Sequence, residues 1–137
     1  MAYWLMKSEP AAFSWDMLVK KGSTSWDGVR NHQAAANLKA MKVGDRAFFY
    51  HSTEGLEIVG VMQITRTAYP DPSDPSGKFV MVDAKPVMPV KKPVTLKEIK
   101  ADKRFADLLL VRHSRLSVVP VSPEHWKLLS EMAGIKA

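Results

Sequence analysis

Four groups of residues in this chain have the types and spacing to do chemistry, and each falls where a structural element should end. Lys7-Ser8-Glu9-Pro10 closes an apolar opening run, and Trp26-Asp27-Gly28-Val29-Arg30-Asn31-His32-Gln33 leads into a helix-forming stretch. Tyr50-His51-Ser52 ends a second apolar run, and Arg112-His113-Ser114-Arg115-Leu116-Ser117 enters the last one. Functional side chains concentrate at such places, where a rigid scaffold holds them toward a ligand. The types present suit a planar, hydrogen-bonding heterocycle. Trp26 and Tyr50 offer ring faces, and stacking contributes about 1–3 kcal/mol per base in single-strand binders. Glu9, Asn31, Gln33 and Ser52 can read a base edge by its donor and acceptor pattern. Lys7, Arg30, Arg112 and Arg115 can hold flanking phosphates. A helix beginning near Asn31 would turn its positive end toward the same anion.

Other chemistries find less support. His51 and Ser52 are adjacent, but neighbours on a strand point to opposite faces, and no GxSxG run is present. A hydrolase acting on a modified base stays open only through His51, Glu9 and Lys7 as acid/base groups. The absence of cysteine removes disulfides, thiol catalysis, iron–sulfur clusters and zinc–thiolate sites. The four histidines lie far apart in sequence and show no HExxH spacing, so no metal and no cofactor is expected. Each candidate also has a plain packing role to weigh. Trp4, Trp15 and Trp126 read as core, Arg30-Asn31 equally as a solvated arginine and a helix cap, and His113 and His125 as surface residues.

The elements that must position these groups follow from pattern and turn chemistry. Tyr3 to Met6, Arg46 to His51, Leu56 to Thr67, Lys78 to Val90 and Leu116 to Val121 read as strands, with Ser52-Thr53-Glu54-Gly55 joining the second and third as a hairpin. Pro86 and Pro89 should confine their strand's end to an edge or bulge. Helices are expected after Ser14 up to Gly22, over Asn31 to Met41, over Thr95 to Lys100, around Phe105 to Leu110, and from Ser122-Pro123 to Met132. Ser23 to Gly28 and Tyr69 to Gly77 read as loops. The sum is a mixed α/β domain on a curled, mostly antiparallel sheet or small barrel. Its length of 137 residues, 46% hydrophobic and 25% charged, fits one globular domain over residues 1–137. The net charge of +6 tilts toward polyanionic partners. Most of it sits between Lys91 and Arg115, where eight basic residues face three acidic ones, a stretch that could serve as a track for a nucleic-acid backbone. No apolar run is long enough for a membrane span, and no signal-peptide pattern follows Met1, so a cytoplasmic protein without membrane partners is expected.

Taken in order, several runs resemble the EVE domain family. They are Tyr3 to Pro10 (YWLMKSEP), Trp26 to Asn31 (WDGVRN), Met41 to Asp45 (MKVGD), Phe48 to Ser52 (FFYHS), Tyr69 to Pro72 (YPDP), Pro93 to Leu96 (PVTL) and Arg115 to Val118 (RLSV). The resemblance implies a PUA-like fold, a small curled β-barrel with short peripheral helices. It also implies a pocket related to those of YTH and ASCH domains, holding a flipped, often modified base in DNA or RNA, with modified cytosine in DNA as the usual proposal. Carried onto matching positions, that pocket would use Lys7, Ser8, Glu9, Trp26, Arg30, Asn31, Gln33, Tyr50, His51, Ser52, Arg115 and Ser117. Trp26 would stack, Asn31 or Ser52 would contact the base edge, and Arg30 and Arg115 would anchor phosphate or pin the loops. The chain departs from the family's usual run at His32, Ala35 and Ala36, which replace an aromatic hydroxyl, a cation and an amide. The expected activity is therefore non-enzymatic binding of nucleic acid. A small-molecule or nucleotide sensor that never touches polymer is the alternative.

Overall fold

Aromatic and β-branched residues crowd the runs that form strands, and side-chain oxygens mark the starts of helices. The computed structural model describes residues 1–137. In chain order they form β1 (Tyr3–Ser8), α1 (Trp15–Lys21), β2 (Thr24–Trp26), α2 (His32–Ala40), β3 (Arg46–His51), β4 (Glu57–Pro70) and β5 (Val80–Thr95). There follow α3 (Leu96–Ala101), a 3-10 turn (Lys103–Phe105), α4 (Leu109–Arg112), β6 (Val118–Val121) and α5 (Pro123–Met132). The local signals acted as expected at the helix starts. Ser14, Asn31, Thr95 and Ser122 each accept a hydrogen bond from the backbone N–H three residues on, satisfying a donor that the first turn leaves free. Gly22, at φ 83°, ends α1 in the left-handed region that favours glycine.

The six strands make one sheet in the order β2-β5-β4-β3-β1-β6. β1 pairs parallel with β3 (Tyr3 opposite Arg46) and antiparallel with β6 (Tyr3 opposite Val121), and the remaining pairings are antiparallel. Pro86 and Pro89 lie beyond the Val82–Ala84 stretch that β2 covers, where the β4–β5 register shifts. A missing N–H does least harm on such a free edge. The expected mixed α/β, curled architecture is present, and the sheet stays open: β2 and β6 are its two edges and do not pair. α2 fills the gap, packing against β4, β5 and β6. Its buried Asn37 donates Nδ2–H to the Val118 carbonyl of β6 (2.8 Å), meeting an edge acceptor that a closing strand would otherwise take. A helix closes what strand pairing leaves open.

Three local expectations are corrected. Thr24–Trp26 is a strand, not loop, because Val82–Ala84 lends it partners from a distant part of the chain. The helix expected around Phe105 to Leu110 is instead a 3-10 turn followed by the one-turn α4. β4 also runs on to Pro70, two residues into the expected loop. The core is one continuous cluster that includes all four tryptophans, Phe48, Phe49 and Phe105. At Gly60 on β4, an added Cβ would stand 2.5 Å from the Trp15 ring, so this close packing of α1 on the sheet requires glycine. α1 is thereby seated directly over the sheet, near the end where β1 stops.

Candidate functional site

Two cavities open beside the loop that runs from β2 to α2. One lies between the end of β1 and β2; Lys7, Ser8 and Glu9 form one wall, and Ser25, Trp26 and Gly28 another, around about 620 Å³. The second, also about 620 Å³, lies at the start of α2, where Asn31 and Gln33 face Arg112, His113, Ser114 and Arg115. We call them the tryptophan cavity and the arginine cavity.

Trp26 is the built wall of the first. It is 7% exposed, and its ring meets Phe49 edge-on at 5.5 Å between centroids, an arrangement aromatic pairs prefer. The core therefore fixes its orientation, and it borders the cavity as a rigid surface, not a mobile arm. Ser25, next to it, is held by Tyr69. The Tyr69 hydroxyl donates to Asp83 Oδ1, which leaves the Ser25 hydroxyl to donate to Tyr69 at 3.1 Å. The Arg66 guanidinium lies 3.7 Å from the Tyr69 ring centroid and covers that network.

The loop between the cavities is pinned by Asp71, which is 2% exposed. Its Oδ2 accepts from the Gly28 N–H (2.8 Å) and from Arg30 Nη1 (3.2 Å), and its Oδ1 accepts from the Ser73 N–H (2.8 Å) and Oγ (2.6 Å). Burial alone would raise its pKa. The hydrogen bonds from Ser73, Gly28 and Arg30 outweigh burial and hold the carboxyl at about 2. Arg30 is thus committed to Asp71 and to Ser73 Oγ (2.9 Å), so it pins the loop and is not a free phosphate anchor.

Lys7 links the two sites. It lines the tryptophan cavity, while its ammonium donates to the Ser114 carbonyl of the arginine cavity (2.8 Å) and lies 5.9 Å from the Tyr50 ring centroid. Burial lowers its pKa.

The expected site residues do not converge on one cavity. Lys7, Ser8, Glu9 and Trp26 line the tryptophan cavity, and Asn31, Gln33 and Arg115 line the arginine cavity. Arg30, Tyr50, His51, Ser52 and Ser117 line neither. Tyr50 is buried under Lys7, and burial first, then Glu57, pushes its hydroxyl up to about 12. His51 Nε2 accepts the Trp15 N–H at 3.1 Å, which commits a neutral ring to the start of α1; burial lowers its pKa accordingly, against the pull of Glu57 and Asp16. The Ser52 N–H donates to the Ser8 carbonyl, and the Lys7 N–H to the Ser117 carbonyl, each at 2.9 Å. These residues hold the end of β1 in place. Asn31 spends its side-chain oxygen on the Ala34 N–H, so the cap role accounts for that atom.

The basic stretch is likewise divided. Lys97 and Lys100 lie on α3 beside Leu56, Lys91 lies beside Gly134, and Arg104 pairs with Asp102 at 2.7 Å. Of the stretch's eight lysines and arginines, only Arg112 and Arg115 reach the arginine cavity. Sequence reasoning missed Asp71, and it marked the group holding His113 and Ser114 without assigning those two to the pocket. Asp71 lies within the Tyr69 to Pro72 run, but an aspartate between two prolines reads first as turn chemistry.

A curled, open six-stranded sheet with α2 packed across it, and an aromatic-walled cavity between the end of β1 and edge strand β2, defines a PUA-like class of fold. The family model for the EVE domain matches residues 2–132, and the chain belongs to that family. Rat thymocyte nuclear protein 1 is 37% identical over 93% of this chain and 71% of its own length. The solution structure of Rpa0253 from Rhodopseudomonas palustris is 57% identical with a TM-score of 0.92, covering 98% of this chain and 94% of that one. Human THYN1, solved in complex with 5-methylcytosine containing DNA, is 33% identical with a TM-score of 0.92 over all of both chains. The Pho92 YTH domain shares the fold alone, at 14% identity and a TM-score of 0.60. No helix of this chain is long and apolar enough to cross a membrane.

Proposed function

We propose that residues 1–137 act as one binding domain that reads a modified base in nucleic acid, with the base against Trp26 in the tryptophan cavity. The observation that carries this reading is a fixed aromatic wall beside hydrogen-bonding groups, in a chain similar over its full length to a protein solved with 5-methylcytosine containing DNA. Modified cytosine in DNA is accordingly the first ligand to test, ahead of RNA. Extruding a base costs a few kcal/mol, roughly, and a rigid wall offsets this without losing side-chain freedom of its own. Glu9, the Asp27 carboxylate and the Ser25 oxygen supply acceptors, and the Lys7 ammonium, which gives only one of its three hydrogens to Ser114, supplies donors, a mixed set as reading a base edge requires.

The reading is of binding without catalysis. His51, the natural acid/base candidate, borders neither cavity and gives its Nε2 lone pair to a backbone N–H. The domain needs a compartment that holds nucleic acid; the cytoplasm meets that need, and the word nuclear belongs to the animal relative's name. The test is a titration with double- and single-stranded oligonucleotides carrying cytosine or 5-methylcytosine, over a salt series. A methyl preference at every salt concentration is the expected result. Equal affinity for both bases would remove the reader function and leave a base-indifferent binder of strands, whereas free nucleosides raising Tm as much as oligonucleotides do would leave a metabolite sensor.

A further inference from the structure

The geometry points to the arginine cavity as a separate phosphodiester site, which takes the backbone next to the base held in the tryptophan cavity. This deepens the reading above and rests on it for the identity of the strand. The charge of the two linings differs. The tryptophan cavity sets Glu9 and Asp27 against Lys7 and Lys21, close to balance. The arginine cavity holds Arg112, Arg115 and His113 and no carboxylate, in a chain with 14 acidic residues to distribute.

The two arginines are also uncommitted. Arg30 is tied to Asp71 and Ser73, Arg104 to Asp102, and Arg66 to the Tyr69 ring. Arg115 forms no hydrogen bond or ion pair with any other group of the chain, and Arg112 stands 3.7 Å from an Asp107 side chain that is 91% exposed, a pair that solvent screens. A guanidinium left free at a concave surface offers its planar fork to a phosphate. Asn31 and Gln33 bring the positive end of α2 to the same cavity, and the first turn of that helix carries no acidic residue to neutralise it.

The contact from Lys7 to the Ser114 carbonyl makes the second observation specific. One side chain lines the first cavity and holds the loop of the second, so a ligand engaging both must carry a base and an anion joined at short range. A nucleotide unit within a strand has that form. A free mononucleotide shares the chemistry, and the arms of the experiment separate the two sources.

The experiment compares wild type with the double variant Arg112→Gln/Arg115→Gln, using a 5-methylcytosine oligonucleotide, its unmethylated twin and 5-methyl-dCMP, at several salt concentrations. Both positions are exposed, so the variant keeps its fold, which its Tm checks. The expected result is a loss of oligonucleotide affinity of roughly 10- to 100-fold at low salt and a salt slope smaller by about 1–2, with the ratio of methylated to unmethylated affinity unchanged. Wild type should bind the oligonucleotide more tightly than the mononucleotide, and this gap should shrink in the variant. An unchanged salt slope overturns the proposal, as does a methyl ratio that collapses with affinity, since the arginines would then be reading the base. If wild type shows no methyl preference but the variant still loses salt slope, the reader function falls and the anion site stands.

Discussion

The tryptophan cavity and the arginine cavity have equal volumes, about 620 Å³, and are built in different ways. The first is walled by strand residues fixed from behind. Trp26 leans on Phe49, Ser25 hangs from Tyr69, and Lys7 and Ser8 belong to a strand paired on both sides. The second is walled by a one-turn helix, a loop and a helix start, and its two arginines carry only one solvent-exposed ion pair between them. Rigid walls favour discrimination, because a misfitting base finds no room to adjust. Long, free cations favour capture and tolerate any sequence, because every nucleotide carries the same phosphate. Shape on one side and charge on the other is a division of labour that a single pocket of mixed lining would not provide.

Substitutions can break this contrast, and Trp26→Ala should do so most strongly. Losing a stacking face worth about 1–3 kcal/mol lowers affinity for the 5-methylcytosine oligonucleotide by roughly 5- to 150-fold. The methyl ratio should collapse while the salt slope holds, the reverse of the pattern expected for the arginine pair. Because Trp26 also belongs to the core, the alanine variant should lose about 3–5 kcal/mol of stability by denaturant titration. Trp26→Phe, which keeps a ring, should recover most of both. Next comes Asp71→Asn, which acts on the loop both cavities share. Hydrogen bonds to a charged group contribute about 1.5–3 kcal/mol each, so a stability loss of about 2 kcal/mol is expected, with methyl ratio and affinity falling together. An effect on only one of the two would show that the cavities are positioned independently.

Smaller effects come from pH. The folded pKa of Asp71 lies below its ordinary value, so its contribution to stability is complete above about 3.9 and is lost as pH falls toward about 2. Asp71→Asn should make the loss of stability in that window shallower without abolishing it, because the hydrogen bonds from Ser76, Phe79 and Lys78 hold Asp74 at about 2 as well. For His51 the sign follows from burial of the neutral ring. The unfolded chain takes up the proton first, so stability is complete above about 6.5 and declines as pH falls below it. Tm should drop by a few degrees between pH 7 and pH 5, and His51→Gln should flatten that slope while leaving the methyl ratio at pH 7 unchanged. A ratio that changes would place His51 in contact with ligand.

Legibility in the sequence divided along local and distant interactions. The helix starts at Ser14, Thr95 and Ser122 were readable because a cap and its donor are three residues apart. β2 was not, since Thr24-Ser25-Trp26 has polar loop composition and becomes a strand only through pairing with Val82–Ala84. The candidate site shows the same division. Clustering along the chain correctly marked both sides of the Lys7–Ser114 contact, yet adjacency in sequence overstated convergence: Tyr50 and His51 turn inward to support what Lys7 and Ser8 present. Net charge between Lys91 and Arg115 gave no hint that folding would scatter it over separate elements. Asp71, which organises the loop between the cavities, lies more than forty residues from Gly28 and Arg30, and no local pattern announces such partners.

The pairing of β1 with both β3 and β6 has a consequence for how the chain is made. β1 leaves the ribosome before the other strands, yet its neighbours are completed only at His51 and at Val121, and the two pairings flank it on opposite sides. At roughly 5–20 residues per second, an exposed edge of Tyr3-Trp4-Leu5-Met6 must wait for several seconds before β6 arrives to cover it. A nascent chain stalled before β6 has emerged should therefore be captured by chaperones through β1, whereas one extended by a linker until Val121 is outside the ribosome should escape them.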